Sequence, residues 1–314
     1  MSNNPSRVSV CLIAYNHRPF IAQAIEGALH QQTRFPYEIV IGDDSSTDGT
    51  DAVVADYARR YPGRIRVLPT PKRLGMQRNV VRALRECGGE YVAMLEGDDY
   101  WLSQEKLQRQ ADFLNAHPEC SLCYHNVYIL RGTCGSDERE LFFQKPARDR
   151  LCLRDVVGGV PMPTCSEMIR RAVLEYPPEL YESPGPDRFL TAMAAKKGQI
   201  AYIDAVLGVY RIHAGGIYAS LDDFGKIQHE IRNSELLNQY LNFQYDREIK
   251  QAISLAHYRG ARLYRVPGAG AKARHHLFKC LITFPHHPDI RWRALAGALA
   301  WHVSSRLHRT LSSA

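Results

Sequence analysis

The first part of the chain alternates between two patterns of apolar residues. Short apolar runs predict strands over residues 7–14, 37–42, 64–68 and 90–95. Between these runs, apolar residues recur at helical spacing and predict helices over residues 19–32, 51–60 and 76–86. Strands that alternate with helices are typical of an α/β fold, with a mostly parallel sheet covered by helices on both faces.

The rest of the chain carries the same patterns in a looser form. The spacing predicts a helix over 103–117, a strand over 121–129, a polar mobile loop over 130–150, a strand over 163–170, a helix over 187–196 and a strand over 200–211. Beyond residue 220 the spacing is helical, with breaks at Pro267-Gly268 and at Pro285–Pro288. We therefore predict an α/β domain over residues 1–220, divided near residue 110, and a helical extension over residues 221–314.

Composition places the chain among ordinary globular proteins, with 45% hydrophobic and 23% charged residues. The N-terminal residues lack the basic and apolar regions of a secretory signal. The longest nearly apolar stretch, Ala294–Trp301, is much shorter than the ~20 residues that cross a bilayer. We therefore expect a cytoplasmic protein.

Positive charge is concentrated in the C-terminal segment, residues 257–314. This segment holds ten Lys and Arg residues against one acid, Asp289, which gives it a net charge of +9. Because the whole chain has a net charge of +7, residues 1–256 carry about −2. A nucleic-acid-binding domain clusters basic residues on its working face. The near-neutral α/β domain therefore argues against nucleic acid as a partner.

Eight cysteines fit a reducing compartment as buried thiols. One group, Cys120, Cys123 and Cys134 with His125, also has the composition of a zinc site. In a strand, however, Cys120 and Cys123 point to opposite faces. We therefore interpret these cysteines as structural.

Three carboxylates follow the fourth predicted strand, in the sequence Glu96-Gly97-Asp98-Asp99. Mg²⁺ and Mn²⁺ prefer oxygen ligands and take one or two of them from protein carboxylates. Bound between such carboxylates and a diphosphate, the ion neutralises the charge of the diphosphate and so makes it a better leaving group. Acidic residues and glycine are equally typical of a turn that caps the next helix. Taken alone, the motif leaves both interpretations open.

A second acidic group follows the second predicted strand, in the sequence Asp43-Asp44-Ser45-Ser46-Thr47-Asp48-Gly49-Thr50. A carboxylate here can accept hydrogen bonds from a pyrimidine ring N–H and from ribose hydroxyls. The alternative is a loop whose Ser, Thr or Asp caps the next helix. Both acidic groups fall at the carboxyl ends of strands, where open α/β sheets bind ligands. Their convergence favours the functional interpretation, because like charges need a cation or hydrogen-bond donors to balance them.

These motifs resemble those of a known family in order, spacing and type. VSVCLIAYNH, EIVIGDDSSTDGT and EYVAMLEGDDYW are similar to the successive motifs of the family 2 glycosyltransferases, which have the GT-A fold. The resemblance covers about residues 7–215 and is closest before residue 110. It implies an inverting enzyme that transfers a sugar from a nucleotide-sugar to an acceptor hydroxyl, with Mn²⁺ or Mg²⁺ as cofactor.

The resemblance also implies roles for individual residues. Ala14 and Tyr15 would frame the base, and Asp44 would accept a hydrogen bond from its ring N–H. The set implied for the nucleotide site consists of Ala14, Tyr15, Asn16, Asp43, Asp44, Arg73, Gly75, Asn79, Glu96 and Asp98. For Arg73, an exposed surface charge is the alternative interpretation.

The set implied for the metal consists of Asp98, Asp99 and His213. Glu96 replaces the first Asp of a strict D-x-D motif, so the direct metal ligand stays open, and we prefer Asp99. For His213, at the end of Tyr210-Arg211-Ile212-His213, a structural histidine is the alternative. We expect Asp98 and Asp99 to be exposed loop carboxylates whose replacement leaves the fold intact.

Direct displacement with inversion needs a base that deprotonates the acceptor hydroxyl. The resemblance implies this role for Asp187, which opens a predicted helix, with Glu182 and Glu167 as rivals. Asp187 is also a favourable residue for a helix N-cap. Thr164 and Ser166 are expected to line the acceptor cleft.

Two other functions remain as alternatives. A sugar-phosphate nucleotidylyltransferase normally has a Gly-rich phosphate loop after its first strand, and IAYNHRPF contains no glycine. A catalytically inactive nucleotide-binding scaffold is disfavoured by the intact acidic residues. We expect a UDP-sugar donor and a saccharide, lipid-linked or protein acceptor. The family resemblance points to bacterial surface polysaccharide or glycoconjugate synthesis.

The C-terminal segment has an amphipathic pattern of its own. Apolar residues recur at four-residue spacing, at Leu295, Leu299, Val303, Leu307 and Leu311, with arginines between them. This pattern is typical of a helix that lies on a membrane surface. A helix packed on the α/β domain is the alternative. We hypothesise that residues 257–314 hold the protein at the inner face of the cytoplasmic membrane.

Overall fold

The computed structural model describes residues 7–132, 139–144, 148–263, 269–284 and 290. The chain divides into two compact units. The first comprises Met1–Val156 and Val160–Gly216, and the second comprises Val157–Gly159 and Ile217–Ala314.

The first unit is built on a mixed sheet. Its described strands are β1 (Val8–Ala14), β2 (Tyr37–Asp43), β3 (Ile65–Val67), β4 (Tyr91–Glu96), β5 (Tyr100–Trp101), β6 (Cys120–Arg131), β7 (Arg139–Leu141), β8 (Arg150–Leu151), β9 (Met168–Arg170) and β10 (Gln199–Ile212). Their order is β3-β2-β1-β4-β9-β6-β10-β5, with β7 beside β6 and β8 beside β10. The first four strands in this order are parallel to one another. β9 runs antiparallel to both β4 and β6, whereas β10 is parallel to β6.

Helices cover the sheet of the first unit. They are α1 (Ile21–Leu29), α2 (Thr50–Arg60), α3 (Met76–Glu86), α4 (Lys106–Ala116), α5 (Leu153–Val157), α6 (Pro178–Glu182) and α7 (Asp187–Lys197). α1 shows why these segments are helical, because it buries Ile21, Ala24, Ile25 and Ala28, one face of a helix. β1 is buried along almost its whole length, as expected for a central parallel strand.

The prediction of an irregular loop over residues 130–150 is wrong for the described part of that segment. β6 extends to Arg131, and β7 pairs with it. The side chain of Asn126 continues this pairing, because it accepts from Phe143 N at 3.0 Å and donates to Phe143 O at 2.8 Å. Phe142, directly after β7, packs against the core. Residues 133–138 and 145–147 lie outside the described residues.

The strand predicted over residues 163–170 is shorter in the structure. Thr164–Ser166 forms a 3₁₀ turn, and only Met168–Arg170 is a strand. Ser166 Oγ donates to Pro163 O at 2.6 Å, a local bond that competes with strand pairing.

The second unit is helical where it is described. It contains α8 (Asp223–Tyr240), α9 (Asp246–Arg262) and α10 (Gly270–Thr283). α9 and α10 share an apolar cluster made of Tyr258, Ala261, Leu277, Cys280 and Ile290. No helix in the described part of the chain is both long and apolar enough to cross a membrane. The predicted break at Pro267-Gly268 and the amphipathic stripe from Leu295 onward lie outside the described residues.

Candidate active site

Three motif-bearing strands end side by side at one edge of the sheet. β1 pairs in parallel with both β2 and β4, and the register places Ala14 opposite Asp43 and Ile13 opposite Glu96. Asp44 N donates to Ala14 O at 2.9 Å, so the ends of β1 and β2 are tied together. The predicted convergence of the motifs at the carboxyl edge of the sheet is confirmed.

The loops after β1 and β2 brace each other through hydrogen bonds. Asn16 N donates to Ser46 Oγ at 2.9 Å, and Asn16 Oδ1 accepts from Thr47 N at 2.8 Å. Asp43 in turn accepts from Ser46 N at 3.0 Å. Asn16 has a φ of +56°, in the left-handed region that asparagine tolerates better than most residues. Asn16 and Asp43 therefore shape the loops at the sheet edge.

Tyr15 and Arg73 form a flat surface beside Asp44. The Arg73 guanidinium carbon lies 3.9 Å from the centre of the Tyr15 ring, and Arg73 Nε lies 4.0 Å from Asp44 Oδ2. The Arg73 side chain is 62% exposed, whereas that of Asp44 is 3% exposed. Planar aromatic and guanidinium groups are good partners for a nucleobase. The structure thus brings together three of the residues predicted for the nucleotide site.

Asp44 and Asn79 hold the loop that precedes α3. Asp44 accepts from Leu74 N at 2.7 Å and from Gly75 N at 2.9 Å. Gly75 has a φ of +88°, which favours glycine. Asn79 is buried, and its Nδ2 donates to Gly42 O at 2.7 Å. Asn79 therefore ties α3 to β2 from the inside, while Asp44 and Gly75 shape the edge of the site.

The acidic motif turns closely past the loop after β1 at Gly97. A Cβ atom at Gly97 would lie 2.9 Å from His17 Nδ1 and 2.9 Å from Ile21 Cδ1. A side chain at this position would therefore have to displace His17 or Ile21. The turn brings His17 Nε2 to 3.7 Å from Asp98 Oδ2.

Asp98 and His213 are in direct contact. His213 Nε2 lies 3.0 Å from Asp98 Oδ2, and both side chains are largely buried. Burial disfavours the charged form of Asp98, but the hydrogen bond with His213 and the charge of His17 outweigh burial and lower the pKa of Asp98. Adjacent ligands of an ion with metal–ligand distances of ~2.1 Å are separated by about 3 Å. The pair therefore fits the spacing of two metal ligands.

Asp99 faces a different group of side chains. Glu96, Asp99 and Cys165 each offer one ligand atom, and these atoms lie within 4.8 Å of one another. Burial raises the pKa of Asp99 well above its usual range, and the charges of Asp98 and Glu96 act in the same direction. Burial, together with the charge of Asp98, raises the pKa of Glu96 to about 8. Glu96 Oε2 has no hydrogen-bond partner among the described residues. This concentration of carboxylates fits a divalent cation, which would stabilise their charged forms.

The expectation that Asp98 and Asp99 are exposed is wrong. Asp99 is 1% exposed, and the Asp98 side chain is 17% exposed. The reason is that β10 covers the motif, with Arg211 N donating to Asp99 Oδ1 at 2.8 Å and the Arg211 guanidinium donating to Asp98 O. In the sequence, Arg211 was named only as part of Tyr210-Arg211-Ile212-His213. Arg211 lies more than a hundred residues from Asp99 in the sequence, so no local sequence pattern predicts that it supports the acidic motif.

Asp187 is the half-buried first residue of α7. Its charge acts on Glu96, whose pKa is raised first by burial, then by Asp98 and also by Asp187. Pro186 occupies the N-cap position of α7, and no side chain caps this helix. The N-cap interpretation of Asp187 is therefore wrong, and its carboxylate is not committed to capping.

Other residues predicted for the acceptor side divide into two groups. Glu167 and Ser166 are 0% exposed, so the expectations that they act as a base or line a cleft are wrong. Thr164 is half-buried, and its side chain hydrogen-bonds with Glu96. Glu182 is exposed at the end of α6.

A buried lysine lies behind the acidic motif. Lys106 is 0% exposed, and its Nζ lies 3.9 Å from the centre of the Trp101 ring with no hydrogen-bond partner among the described residues. Trp101 Nε1 donates to Cys165 O at 2.8 Å, which links this lysine to the group around Asp99. Burial lowers the pKa of Lys106 to about 7. Neither this lysine nor Cys165 could be assigned to the site from sequence patterns, because their positions depend on contacts between distant segments.

We expect wild-type protein to gain stability relative to Lys106→Met as the pH rises from neutral. The pKa of Lys106 is about 7 in the folded protein and about 10.4 in an unfolded chain, so the unfolded state binds more protons between these values. The cost of burying this lysine is therefore greatest at or below about pH 7 and shrinks toward about pH 10. Urea unfolding of both proteins at several pH values in this range checks the trend, with Lys197→Met, at a half-exposed position, as control. A stability difference that does not change with pH contradicts the expectation.

Comparison with known proteins assigns the chain to a family. The family model described as "Glycosyl transferase family 2" matches residues 9–175, which is more than half of the chain. The chain belongs to glycosyl transferase family 2. The family predicted from the three strand-end motifs is thereby confirmed.

Two curated relatives show how far the similarity extends. The uncharacterized protein Rv1520 of Mycobacterium tuberculosis is 34% identical over 220 residues, covering 68% of this chain and 61% of that protein. The poly(ribitol-phosphate) beta-N-acetylglucosaminyltransferase TarS of Staphylococcus aureus is 26% identical over 247 residues, covering 73% of this chain and 41% of TarS. The match thus spans about three-fifths of the mycobacterial relative and a smaller part of TarS.

Solved structures confirm the predicted GT-A fold of this family 2 member. S. aureus TarS 1-349 in complex with UDP-GlcNAc has a TM-score of 0.61 at 18% identity, covering 95% of this chain and 88% of that chain. The mannosyltransferase PcManGT from Pyrobaculum calidifontis, in complex with GDP-Man and Mn²⁺, has a TM-score of 0.55 at 17% identity. The match covers 96% of this chain and 88% of that chain. At these identities the likeness is one of fold.

Proposed function

We propose that this protein is a glycosyltransferase that moves a sugar from a nucleotide-sugar to an acceptor hydroxyl, with inversion by direct displacement. The observation that carries the proposal is the convergence of two groups at one sheet edge. One is the Tyr15–Arg73 surface beside Asp44, which suits a nucleobase. The other is the acidic motif with His213, which suits a diphosphate-bound cation. Family membership supports the same reaction.

The proposed donor is a UDP-sugar. Asp44 accepts two backbone hydrogen bonds, and a carboxylate has about four acceptor sites, so it retains capacity for a ring N–H. Guanine and thymine also offer a ring N–H, and the two solved relatives contain UDP-GlcNAc and GDP-Man respectively. The same contact with Asp44 could therefore also accept the ring N–H of guanine or thymine.

For the metal, we propose Mn²⁺ or Mg²⁺ held by Asp98 and His213. When bound, the ion would neutralise the charge that develops on the departing diphosphate. Asp98 is favoured over Asp99 as the direct ligand, because Asp99 is more deeply buried and one of its oxygens accepts from Arg211 N. Asp99 and Glu96 would add negative charge close to the cation, and Arg211 would keep the motif in place.

Asp187 is the proposed base. It lies close enough to the acidic motif to influence the pKa of Glu96, and no capping bond occupies its carboxylate. In the reaction it would accept the proton of the acceptor hydroxyl as that oxygen attacks the anomeric carbon. The buried rival Glu167 cannot reach an acceptor in solvent.

We expect His213→Ala to weaken binding of the metal–nucleotide complex by at least about tenfold, because loss of a group that merely orients a metal ligand already costs about ten- to a hundredfold in metal affinity. The side chain contacts Asp98 at 3.0 Å, and the Phe20 ring packs beside it at 4.7 Å. Calorimetric titration with Mn²⁺ and UDP measures the loss, with the exposed His30→Ala as control. Unchanged affinity in His213→Ala would return this residue to a purely structural role.

Binding of nucleotide-sugars should depend strongly on a divalent cation. We expect at least one of UDP, GDP and TDP, with UDP favoured, to bind in Mn²⁺ and to lose most of its affinity in chelator. The physical reason is that Asp98 and Asp99, when ionised, repel a diphosphate unless a cation lies between them. Equal affinity with and without metal would remove the cation from the proposal, and absence of binding by all three nucleotides would overturn the function.

The biological setting follows from named relatives and stays a proposal. TarS is named for glycosylation of poly(ribitol-phosphate), which supports a role in bacterial surface polysaccharide synthesis with a saccharide, lipid-linked or protein acceptor. The cytoplasmic site and the anionic membrane surface for residues 257–314 also stay predictions. The main support for the membrane surface is the net charge of +9 in that segment.

A further inference from the structure

The start of α3 is bonded to both sides of the candidate site. Gly75, which precedes this helix, donates from its N–H to Asp44 Oδ2 at 2.9 Å, on the donor side. Gln77, the second residue of the helix, donates from Nε2 to Ser183 O at 2.6 Å. Ser183 directly follows α6 and lies four residues before Asp187 in the sequence. One turn of helix therefore contacts the loop proposed to hold the donor and the segment that carries the proposed base.

The side-chain amide of Gln77 spans the distance between these two segments. A Cβ atom placed on Gly75 would lie 4.0 Å from Gln77 Oε1, so the amide lies beside the donor loop. Its Nε2 bonds to Ser183, which is 1% exposed. Because Ser183 is buried, removal of the glutamine donor would leave its carbonyl oxygen short of a partner, which costs more than loss of an exposed hydrogen bond.

A stiff link joins Ser183 to Asp187. It consists of Pro184, Gly185 and Pro186, and the proline rings fix φ at two of these three positions. Gly185 and Pro186 are also buried, so packing restricts the link further. We therefore expect a displacement of Ser183 to shift the start of α7, and the carboxylate of Asp187 with it.

A separate contact joins α3 to α6 at the other end of α3. Arg85 donates from Nη2 to Tyr181 Oη at 3.2 Å, and its guanidinium carbon lies 4.8 Å from the centre of the Tyr176 ring. This contact is exposed and does not involve the link to Asp187. It provides a comparison for the bond at Ser183, because it joins the same two helices.

We propose that Gln77 is a positioning residue for the base. Its hydrogen bond to Ser183 holds the Asp187 carboxylate in a fixed place relative to the donor loop, so that the acceptor hydroxyl meets both base and donor. The inference rests on the proposed function, in which Asp187 is the base. Because Gln77 acts through Ser183 and contacts neither substrate, its loss should lower the rate of transfer and leave donor affinity unchanged.

The test uses Gln77→Met, which keeps the length of the side chain and removes its hydrogen-bond donor. We expect kcat to fall by about ten- to a hundredfold, since displacement of a reacting group by about 1 Å costs on the order of 10² in rate. Calorimetric UDP affinity in Mn²⁺ should match wild type, and thermal unfolding verifies that the variant is folded. Unchanged kcat in folded Gln77→Met would overturn the proposal.

Two control variants separate this bond from general packing. Tyr181→Phe removes the Arg85 bond between the same helices, and Gln32→Met removes an exposed glutamine bond of 2.6 Å to Gln104. Both should keep the kcat of wild type. Hydrogen exchange of the amides at the start of α7 should be faster in Gln77→Met than in either control. Equal losses of kcat in Gln77→Met and Tyr181→Phe, or equal exchange in all the proteins, would overturn the proposal.

A double-mutant cycle shows whether Gln77 acts through the base. In an Asp187→Asn background, Gln77→Met should cause little further loss of kcat, because the group that it positions is already gone. A full additional loss would overturn the proposal. If Asp187→Asn loses kcat while Gln77→Met does not, this inference alone is wrong. If Asp187→Asn itself keeps normal kcat, the base in the proposed function is wrong and this inference fails with it.

Discussion

Asp98→Asn is expected to lower turnover by on the order of 10²–10³-fold, the loss typical when one group that stabilises developing charge is removed. Asparagine keeps the shape of the side chain and an oxygen that can accept from His213. It removes the negative charge beside His213 Nε2, at 3.0 Å, where the proposed cation would bind. Initial rates of nucleoside diphosphate release across a range of Mn²⁺ concentrations measure the effect. The expected pattern is a lower maximum rate together with a higher Mn²⁺ requirement.

The control for this prediction is Asp112→Asn, which removes the same charge from an exposed ion pair with Arg34. It should behave as wild type, since surface pairs of this kind contribute little. Thermal unfolding of each variant separates loss of function from loss of fold, because Asp98 is more buried than its sequence indicates. Near-normal kinetics in a folded Asp98→Asn protein would contradict a role for this carboxylate in the reaction.

Asp187→Asn is expected to lower kcat by about 10²–10⁴-fold, the range for loss of general base catalysis, while donor affinity stays unchanged. A base acts in the transition state and not in the binary complex with donor, so the loss appears in kcat. Single-turnover rates and calorimetric UDP affinity in Mn²⁺ separate the two quantities. The measurement needs an acceptor, which a screen of saccharide and phosphorylated saccharide acceptors would first provide.

The matched control is Glu182→Gln, at the neighbouring exposed carboxylate that the sequence left as a rival base. It should retain most of its kcat if Asp187 is the base. If Asp187→Asn instead loses donor binding, or if Glu182→Gln loses kcat while Asp187→Asn does not, the assignment of the base is wrong. Asp187 opens α7 without capping it, so the substitution should leave the helix intact.

Elements governed by local patterns could be predicted closely. The helix predicted over residues 76–86 has these bounds, because its buried residues recur at helical spacing and Gly75 marks its start. The strand-end motifs could also be placed at one sheet edge from a local pattern, because alternating strands and helices favour parallel pairing of the strands. The antiparallel direction of β9 was not predicted and the strands within 130–150 were missed, because short strands depend on partners supplied by distant parts of the chain.

Residues of the candidate site could be named from the sequence, whereas the burial of its acidic motif could not be predicted. The acidic motif, Tyr15, Arg73 and His213 were all named from the sequence, and the structure brings the first and last of them into contact. The burial of Asp98 and Asp99 was not predicted, because it results from Arg211 and β10, far away in the chain. Lys106 and Cys165 were missed for the same reason. A lysine at the start of a helix is ordinarily exposed, and only the fold buries this one where the charges of Glu167 and Glu96 act on it.

The most direct test of the account is release of nucleoside diphosphate from nucleotide-sugars by purified protein in Mn²⁺. UDP-, GDP- and TDP-sugars are incubated separately with wild-type protein, with Asp98→Asn, and with wild-type protein in chelator. The account predicts release from one donor, UDP-linked by preference, that falls by on the order of 10²–10³-fold in the variant and is lost in chelator. Release that is equal in wild type and Asp98→Asn, or no release from any donor with or without an acceptor, would contradict glycosyl transfer at this site.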